Sequence, residues 1–174
     1  MKIILLLILL LGSGHSKSIK YYQNQLRHLS EEQQTVMNFV AYNSKKEDLK
    51  YTMLSIAFIE SQFGKYKINL NDPSCGIFHK LLPIYAIQLS LKPSKWNESR
   101  LCEQLIKSPA LALKIAIEDF KHNYIHFRTK GYSKNVSWRL SVMSYNAGIS
   151  NYKAGSKYYR EIVKIIRALR KEKL

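Results

Sequence analysis

Glu60 is the residue that its surroundings fit least. Leu49, Met53, Ile56 and Glu60 fall at i, i+4, i+7 and i+11, on one face of a helix that runs to about Gln62. A carboxylate on an apolar stripe loses solvation, which disfavours its charged form. A carboxylic acid that keeps its proton near neutral pH can give it to a leaving-group oxygen. At a helix end beside a polar loop, that chemistry suits cleavage of a glycosidic bond. The competing reading is a glutamate at a fraying helix end, turned to water. Asp72, in the loop that follows, is a candidate second carboxylate for an inverting hydrolase. Asn71-Asp72-Pro73-Ser74 is equally a plain turn signal. His122 and His126 lie i, i+4 on a helix, but no third ligand accompanies them, so neither a metal nor a cofactor is expected.

The elements that must position these residues read as helices. Ser30-Glu31-Glu32-Gln33 is a capping box, followed by an apolar face of Val36, Phe39 and Val40. A second box, Ser44-Lys45-Lys46-Glu47, is expected to open the helix that carries Glu60, and Gly64 suits its stop. From 65 to 80 the helical period vanishes among turn formers, which predicts a loop with a short irregular hairpin. Helices are expected over about 83–91 and 98–106. Ser108-Pro109, an N-cap plus N1 proline, opens the longest helix, with Leu113, Ile117, Phe120 and Tyr124 on one face. A polar stretch over 129–135 precedes a helix over about 136–146, with Gly148 after it. A last amphipathic helix follows Gly155-Ser156 and turns Tyr158, Ile162, Ile165, Ile166 and Leu169 inward. Residues 17–29, polar and aromatic, read as an arm. The fold class is mostly α: one helical domain with one irregular loop or hairpin beside a cleft.

Composition narrows the setting. The chain has 174 residues, enough for one domain, and 46% hydrophobic with 23% charged residues argues against a disordered chain. Lys and Arg number 28 against 12 Asp and Glu, a formal charge of +16, which calls for an anionic partner. On the last helix Lys157, Arg160, Lys164, Arg167 and Lys171 form a basic stripe, either a solvated face or a surface for anionic polymers or lipid. Met1-Lys2 and the apolar run Ile3–Leu11, followed by small residues, read as a signal peptide over 1–16, leaving a domain over 17–174. Nine apolar residues rise only about 14 Å as a helix, too short for a bilayer core of roughly 30 Å, so no transmembrane span is expected. Export to the periplasm or cell envelope makes nucleic acid an unfavoured partner. It also makes a disulfide between Cys75 and Cys102, the only cysteines, the favoured reading over two buried thiols. Such a bridge is worth roughly 3–4 kcal/mol in the chain-entropy picture.

Three segments together carry a resemblance. Glu60-Ser61 closes a helix, Gly76-Ile77-Phe78-His79 follows the loop, and Ser144-Tyr145-Asn146-Ala147-Gly148 ends a later helix. In this order the chain, from about Asp48 to Ile166, resembles the catalytic domain of lytic transglycosylases of the soluble type, with a goose-type lysozyme-like fold. The resemblance implies cleavage of the β-1,4 bond between N-acetylmuramic acid and N-acetylglucosamine in peptidoglycan. One glutamate serves as acid and then base, and the muramic 6-hydroxyl attacks internally to give a 1,6-anhydro product. On this reading Glu60 is the acid/base and Ser61 lies near the reacting sugar. Tyr145 hydrogen-bonds near the glutamate, and Asn146 beside it is structural or touches substrate. The family's Met and Gln are replaced by Phe78, an aromatic wall for a sugar, and His79, a hydrogen-bonding group with a titration that Gln lacks. Implied partners are peptidoglycan glycan strands, with a secretion or conjugation apparatus as a further candidate. Three rivals stand beside this reading: a lysozyme-type hydrolase, a non-catalytic wall-binding or assembly protein on the same fold, and a basic exported nucleic-acid binder.

Overall fold

Serine hydroxyls start most of the helices. In the computed structural model, which describes residues 17–45, 48–69 and 71–174, the order is α1 (Ile19–Arg27), α2 (Glu31–Ser44), α3 (Lys50–Ser61), β1 (Ile68–Asn69), β2 (Ser74–Cys75), β3 (Lys80–Leu81), α4 (Leu82–Gln88), α5 (Lys95–Lys107), α6 (Pro109–Thr129), α7 (Lys134–Ala147), a 3-10 segment (Ile149–Gly155) and α8 (Ser156–Lys171). Ser18, Ser30, Ser94, Ser108 and Ser133 each accept a backbone N–H three residues on, and so cap α1, α2, α5, α6 and α7. The fold is a mostly α, lysozyme-like single domain with one small sheet.

The core is built around α3. Residues Thr52 to Phe58 are all buried, and Met53, Leu54, Ile56 and Ala57 are wholly so. A helix apolar on every side must be central; α2, α6 and α8 pack around it. α8 shows the opposite pattern. Ile162, Ile165, Ala168 and Leu169 are buried, while Lys157, Arg160, Arg167 and Lys171 face water. The stripe is broken at Lys164, whose ammonium pairs with Glu161 at 2.9 Å.

Several sequence expectations need correction. Residues 19–27 are a helix rather than an arm: Ser18 caps it, and Tyr22 and Leu26 bury against α8. Polar neighbours masked that short apolar face. The expected second capping box does not open α3. Ser44 is the last residue of α2, its hydroxyl donating to the Val40 carbonyl at 2.6 Å, and α3 starts from Leu49 with no side-chain cap. Glu47 lies outside the described residues, as do residues 1–16 of the expected signal peptide. The stop of α3 comes before Gly64: Gln62 and Phe63 already take left-handed backbone, with φ of 50° and 55°. Helix α4 ends earlier than expected and α5 starts earlier, at Ser94.

The loop after α3 folds into an antiparallel sheet in the order β1-β2-β3, with Ile68 opposite Cys75, Ser74 opposite Leu81 and Cys75 opposite Lys80. Cys75 and Cys102 are joined by a disulfide, Cα atoms 5.3 Å apart, which ties β2 to α5. Gly76 turns the chain at φ +83°, and a Cβ there would come within 3.1 Å of Leu105. Gly155 is tighter still. A Cβ on it would fall 2.1 Å from the Met143 carbonyl oxygen, so only glycine lets the 3-10 segment lie against α7.

Candidate active site

The end of α3 is held from outside. Gln33, placed by the α2 capping box, accepts from the Ser30 N–H at 3.0 Å and donates through Nε2 to the Gln62 carbonyl at 2.8 Å. Two successive non-glycine residues at positive φ cost about 1–3 kcal/mol each, and persist where the surroundings over-determine them. Ser61 supplies more of that constraint. Its hydroxyl is fully buried, reaches the Ile77 carbonyl at 2.8 Å and accepts from the Gly64 N–H at 2.9 Å. Ser61 thus pins the helix end to the loop and does not meet the cleft, contrary to the sugar contact expected of it.

This scaffold presents Glu60 to a cleft of about 580 Å³. The Glu60 side chain keeps 17% of its exposure, so it is neither fraying into solvent nor sealed in the core. Tyr158, from α8, donates its hydroxyl to Glu60 Oε1 at 2.7 Å. His79 Nδ1 stands 3.5 Å from the other oxygen, Oε2. The far ring nitrogen of His79, Nε2, donates to the Tyr66 carbonyl at 2.7 Å. The remaining wall comes from Asp72 and Ser74, from α6 through Asp119, His122 and Asn123, and from 144–149 at the end of α7.

The charges explain how these groups titrate. Burial alone lowers the imidazole of His79. Its pairing with Glu60 and its hydrogen bond to the Tyr66 carbonyl, with the charges of Glu60 and Asp72, outweigh that and raise it above 6.5. Burial, then the negative charge of Glu60, drives the hydroxyls of Tyr145 and Tyr158 well above the usual tyrosine range, so both remain proton donors. In a chain of charge +16, the cleft gathers three carboxylates, Glu60, Asp72 and Asp119, of which Asp119 pairs with Lys80.

The other expected site residues divide. Tyr145 and Asn146 line the cleft, but the Tyr145 hydroxyl donates to the Phe78 carbonyl at 3.4 Å; Tyr158 makes the direct bond to Glu60. Phe78 is 2% exposed and belongs to the core, so it does not wall the cleft as expected. Asp72 accepts from the Ser74 hydroxyl of its own turn. His122 faces the cleft, whereas His126 Nε2 is buried without a hydrogen-bond partner among the described residues, and no group of three metal-ligating side chains occurs among them. Ser144 Oγ is also buried without a partner, on the cleft wall. Sequence reasoning missed Tyr158 as a site residue, because its place on the inward face of α8 reads as core. It also missed Asp119 and the Tyr66 carbonyl, which carry no local signal.

A family model described as "Transglycosylase SLT domain" matches residues 37–165, a span that contains Glu60, the loop, His79 and the 144–148 segment. The chain belongs to this family. It is a lytic-transglycosylase-type domain acting on peptidoglycan. Comparison with curated proteins and with solved structures gives no significant match. No helix among the described residues is long and apolar enough to cross a membrane.

Proposed function

We propose that the protein is an exported lytic transglycosylase that cleaves the MurNAc–GlcNAc β-1,4 bond with Glu60 as its single acid/base. The observation that carries the reading is the placement of Glu60: a carboxyl at a rigid helix end, open to a cleft and oriented by the Tyr158 hydroxyl at 2.7 Å. As acid, Glu60 gives its proton to the glycosidic oxygen while the C1–O bond breaks. The muramic 6-hydroxyl then attacks C1, and its proton returns to the Glu60 carboxylate. Atoms and protons balance with no water consumed, so no second carboxylate is needed to position one. Asp72, hydrogen-bonded within its own turn, fits that account better than the role of general base in a hydrolase. Tyr158 orients the carboxyl and stabilises the charge left after proton donation. Asn146 supplies hydrogen-bonding groups to the sugar from the cleft wall. The basic surface suits a wall polymer rich in carboxylates.

The test is the product. Digestion of sacculi in water carrying heavy oxygen should yield anhydro-muramic ends, lighter than reducing ends by one water and free of the label. Labelled reducing ends would replace this reading by a hydrolase.

A further inference from the structure

We propose that a basic, aromatic groove formed by α3, α7 and α8 holds the peptidoglycan strand by its carboxylates and sugar faces, apart from the cleft that cuts it. The inference rests on peptidoglycan as the substrate and adds a second, non-catalytic site to that reading.

The groove is two cavities that meet at Tyr159, which lines both. One, of about 580 Å³, opens at the start of α3; the other, of about 480 Å³, lies between α7, the 3-10 segment and α8. Six cations edge them, Lys45, Lys50, Arg139, Arg160, Arg167 and Arg170, against Asp48 as the one carboxylate among the described residues. On α8, Arg160, Val163, Arg167 and Arg170 fall at i, i+3, i+7 and i+10, so a single helical face delivers three of the guanidinium groups. None of the six forms a salt bridge with a carboxylate among the described residues. The start of α3, which no side chain caps, adds the positive end of a helix at the same place.

Between the cations the surface is aromatic. Trp138 donates its indole N–H to the Thr52 hydroxyl at 3.1 Å and stands edge-on to Tyr159, ring centres 5.9 Å apart. Both side chains belong to half-buried residues, so the rings are fixed and still partly open. Lys50 and Arg170 lie over the Tyr51 ring at 5.3 and 5.1 Å, which places two positive heads there without neutralising either. Tyr132 and Tyr152 continue the aromatic wall beside Arg139 and Arg160. Rings flanked by cations suit sugars that carry carboxylates. The apolar face of a pyranose covers a ring, and a guanidinium takes a carboxylate with two parallel N–H bonds. Cations spread over two adjoining cavities fit a polymer rather than one small ligand.

The groove and the cleft share a wall. Met143 and Tyr152 line the groove while Ser144 and Ile149 line the cleft, so the end of α7 and the 3-10 segment stand between them. Tyr158 and Tyr159, adjacent on α8, divide the same way: one bonds Glu60 and the other lines the groove. The cleft gathers Glu60, Asp72 and Asp119, so long-range attraction for an anionic strand comes from elsewhere on the surface, and the groove supplies it. A strand long enough to pass the shared wall engages both sites; a short fragment occupies the cleft alone. Single-stranded nucleic acid also uses cations and stacking rings. The glycan strand is favoured because the chain belongs to a family that acts on peptidoglycan.

The deciding experiment is co-sedimentation with purified sacculi, carried out in Glu60→Gln so that nothing is cut. Adding Arg160→Gln, Arg167→Gln and Arg170→Gln should weaken binding by about tenfold or more and flatten its dependence on salt. Removing three charges outside the groove, by Lys20→Gln, Lys92→Gln and Lys130→Gln, should change binding by less than about twofold. Amidating the carboxylates of the sacculi should erase the difference between the arginine variant and its parent. Soluble glycan strands should shift the emission of Trp138, read in Trp96→Phe, where it is the only indole. Equal losses from the two triple variants would make net charge the cause and overturn the groove. Binding untouched by the arginine changes, a difference that survives amidation, or a silent Trp138 would overturn it as well. If the arginine changes release a single-stranded DNA oligonucleotide but not sacculi, the groove belongs to nucleic acid and the proposal falls. None of these readouts depends on turnover. Arginine-sensitive binding to sacculi, with no anhydro product from wild type, would retain the groove and sink the transglycosylase reading instead.

Discussion

Helix α3 ends in two cavities of the same volume and opposite chemistry. At its C-terminal end the cleft around Glu60 measures about 580 Å³; at its start, about 14 Å away along the axis, a second cavity measures about 580 Å³ as well. The second is lined by Lys45, Lys50, Arg167 and Arg170 around Tyr51, Trp138 and Tyr159, with Asp48 as its single carboxylate among the described residues. Lys50 and Arg170 both reach the Tyr51 ring, at 5.3 and 5.1 Å from its centre. Space alone does not distinguish the two. What differs is that one cavity contains an acid whose two oxygens meet different partners, a phenol and an imidazole, on a strained and externally braced backbone. The other holds cations against aromatic faces, an arrangement that attracts anions, and its one carboxylate among the described residues, Asp48, is exposed to water.

That contrast orders the expected effects. Glu60→Gln should lower turnover of peptidoglycan by about 10³-fold, within the range for loss of a general acid, as read by muropeptide release. A remaining rate within tenfold of wild type would break the contrast. Opening the disulfide by Cys75→Ser with Cys102→Ser should cost about 3–4 kcal/mol in chemical unfolding. It should raise hydrogen exchange at β2 and α5, beside the cleft, well before residues 50–52 at the basic cavity. Tyr158→Phe removes one hydrogen bond to a charged group, about 1.5–3 kcal/mol, and should lower kcat by about ten- to a hundredfold with little change in KM. Arg167→Gln with Arg170→Gln should leave turnover of short glycan fragments within about twofold, since surface charges away from the chemistry are worth little.

His79 adds a sign to the pH dependence of stability. Its folded value is raised, so its contribution is fully present below the unfolded value near 6.5 and is lost as pH rises through the higher folded value. Denaturation midpoints of wild type and His79→Gln should therefore differ more at acid pH than at alkaline pH.

Legibility in the sequence followed the range of the interaction. Ser30 with Gln33, and Ser108 with Pro109, announce their helices because a cap is satisfied within three residues. The inward residues of α8 are legible from period alone. Glu60 stands out as a mismatch with its own helix, and the family resemblance suggests the role proposed for it. Contacts between distant segments left no such trace. Tyr158 reaches Glu60 across 98 positions, and Tyr66 fixes the His79 tautomer with a backbone oxygen. The motifs place Phe78 and Ser61 at the cleft because motifs report position along the chain. Which side of a turn becomes core is decided by packing, and here the strained end of α3 and the turn at Gly76 bury both.

The most direct test of the account is mass spectrometry of muropeptides released from purified sacculi by wild type and Glu60→Gln in parallel. The account predicts anhydro-muramic products from wild type and essentially none from the variant. Equal release by the two proteins, or reducing ends from wild type, would contradict it.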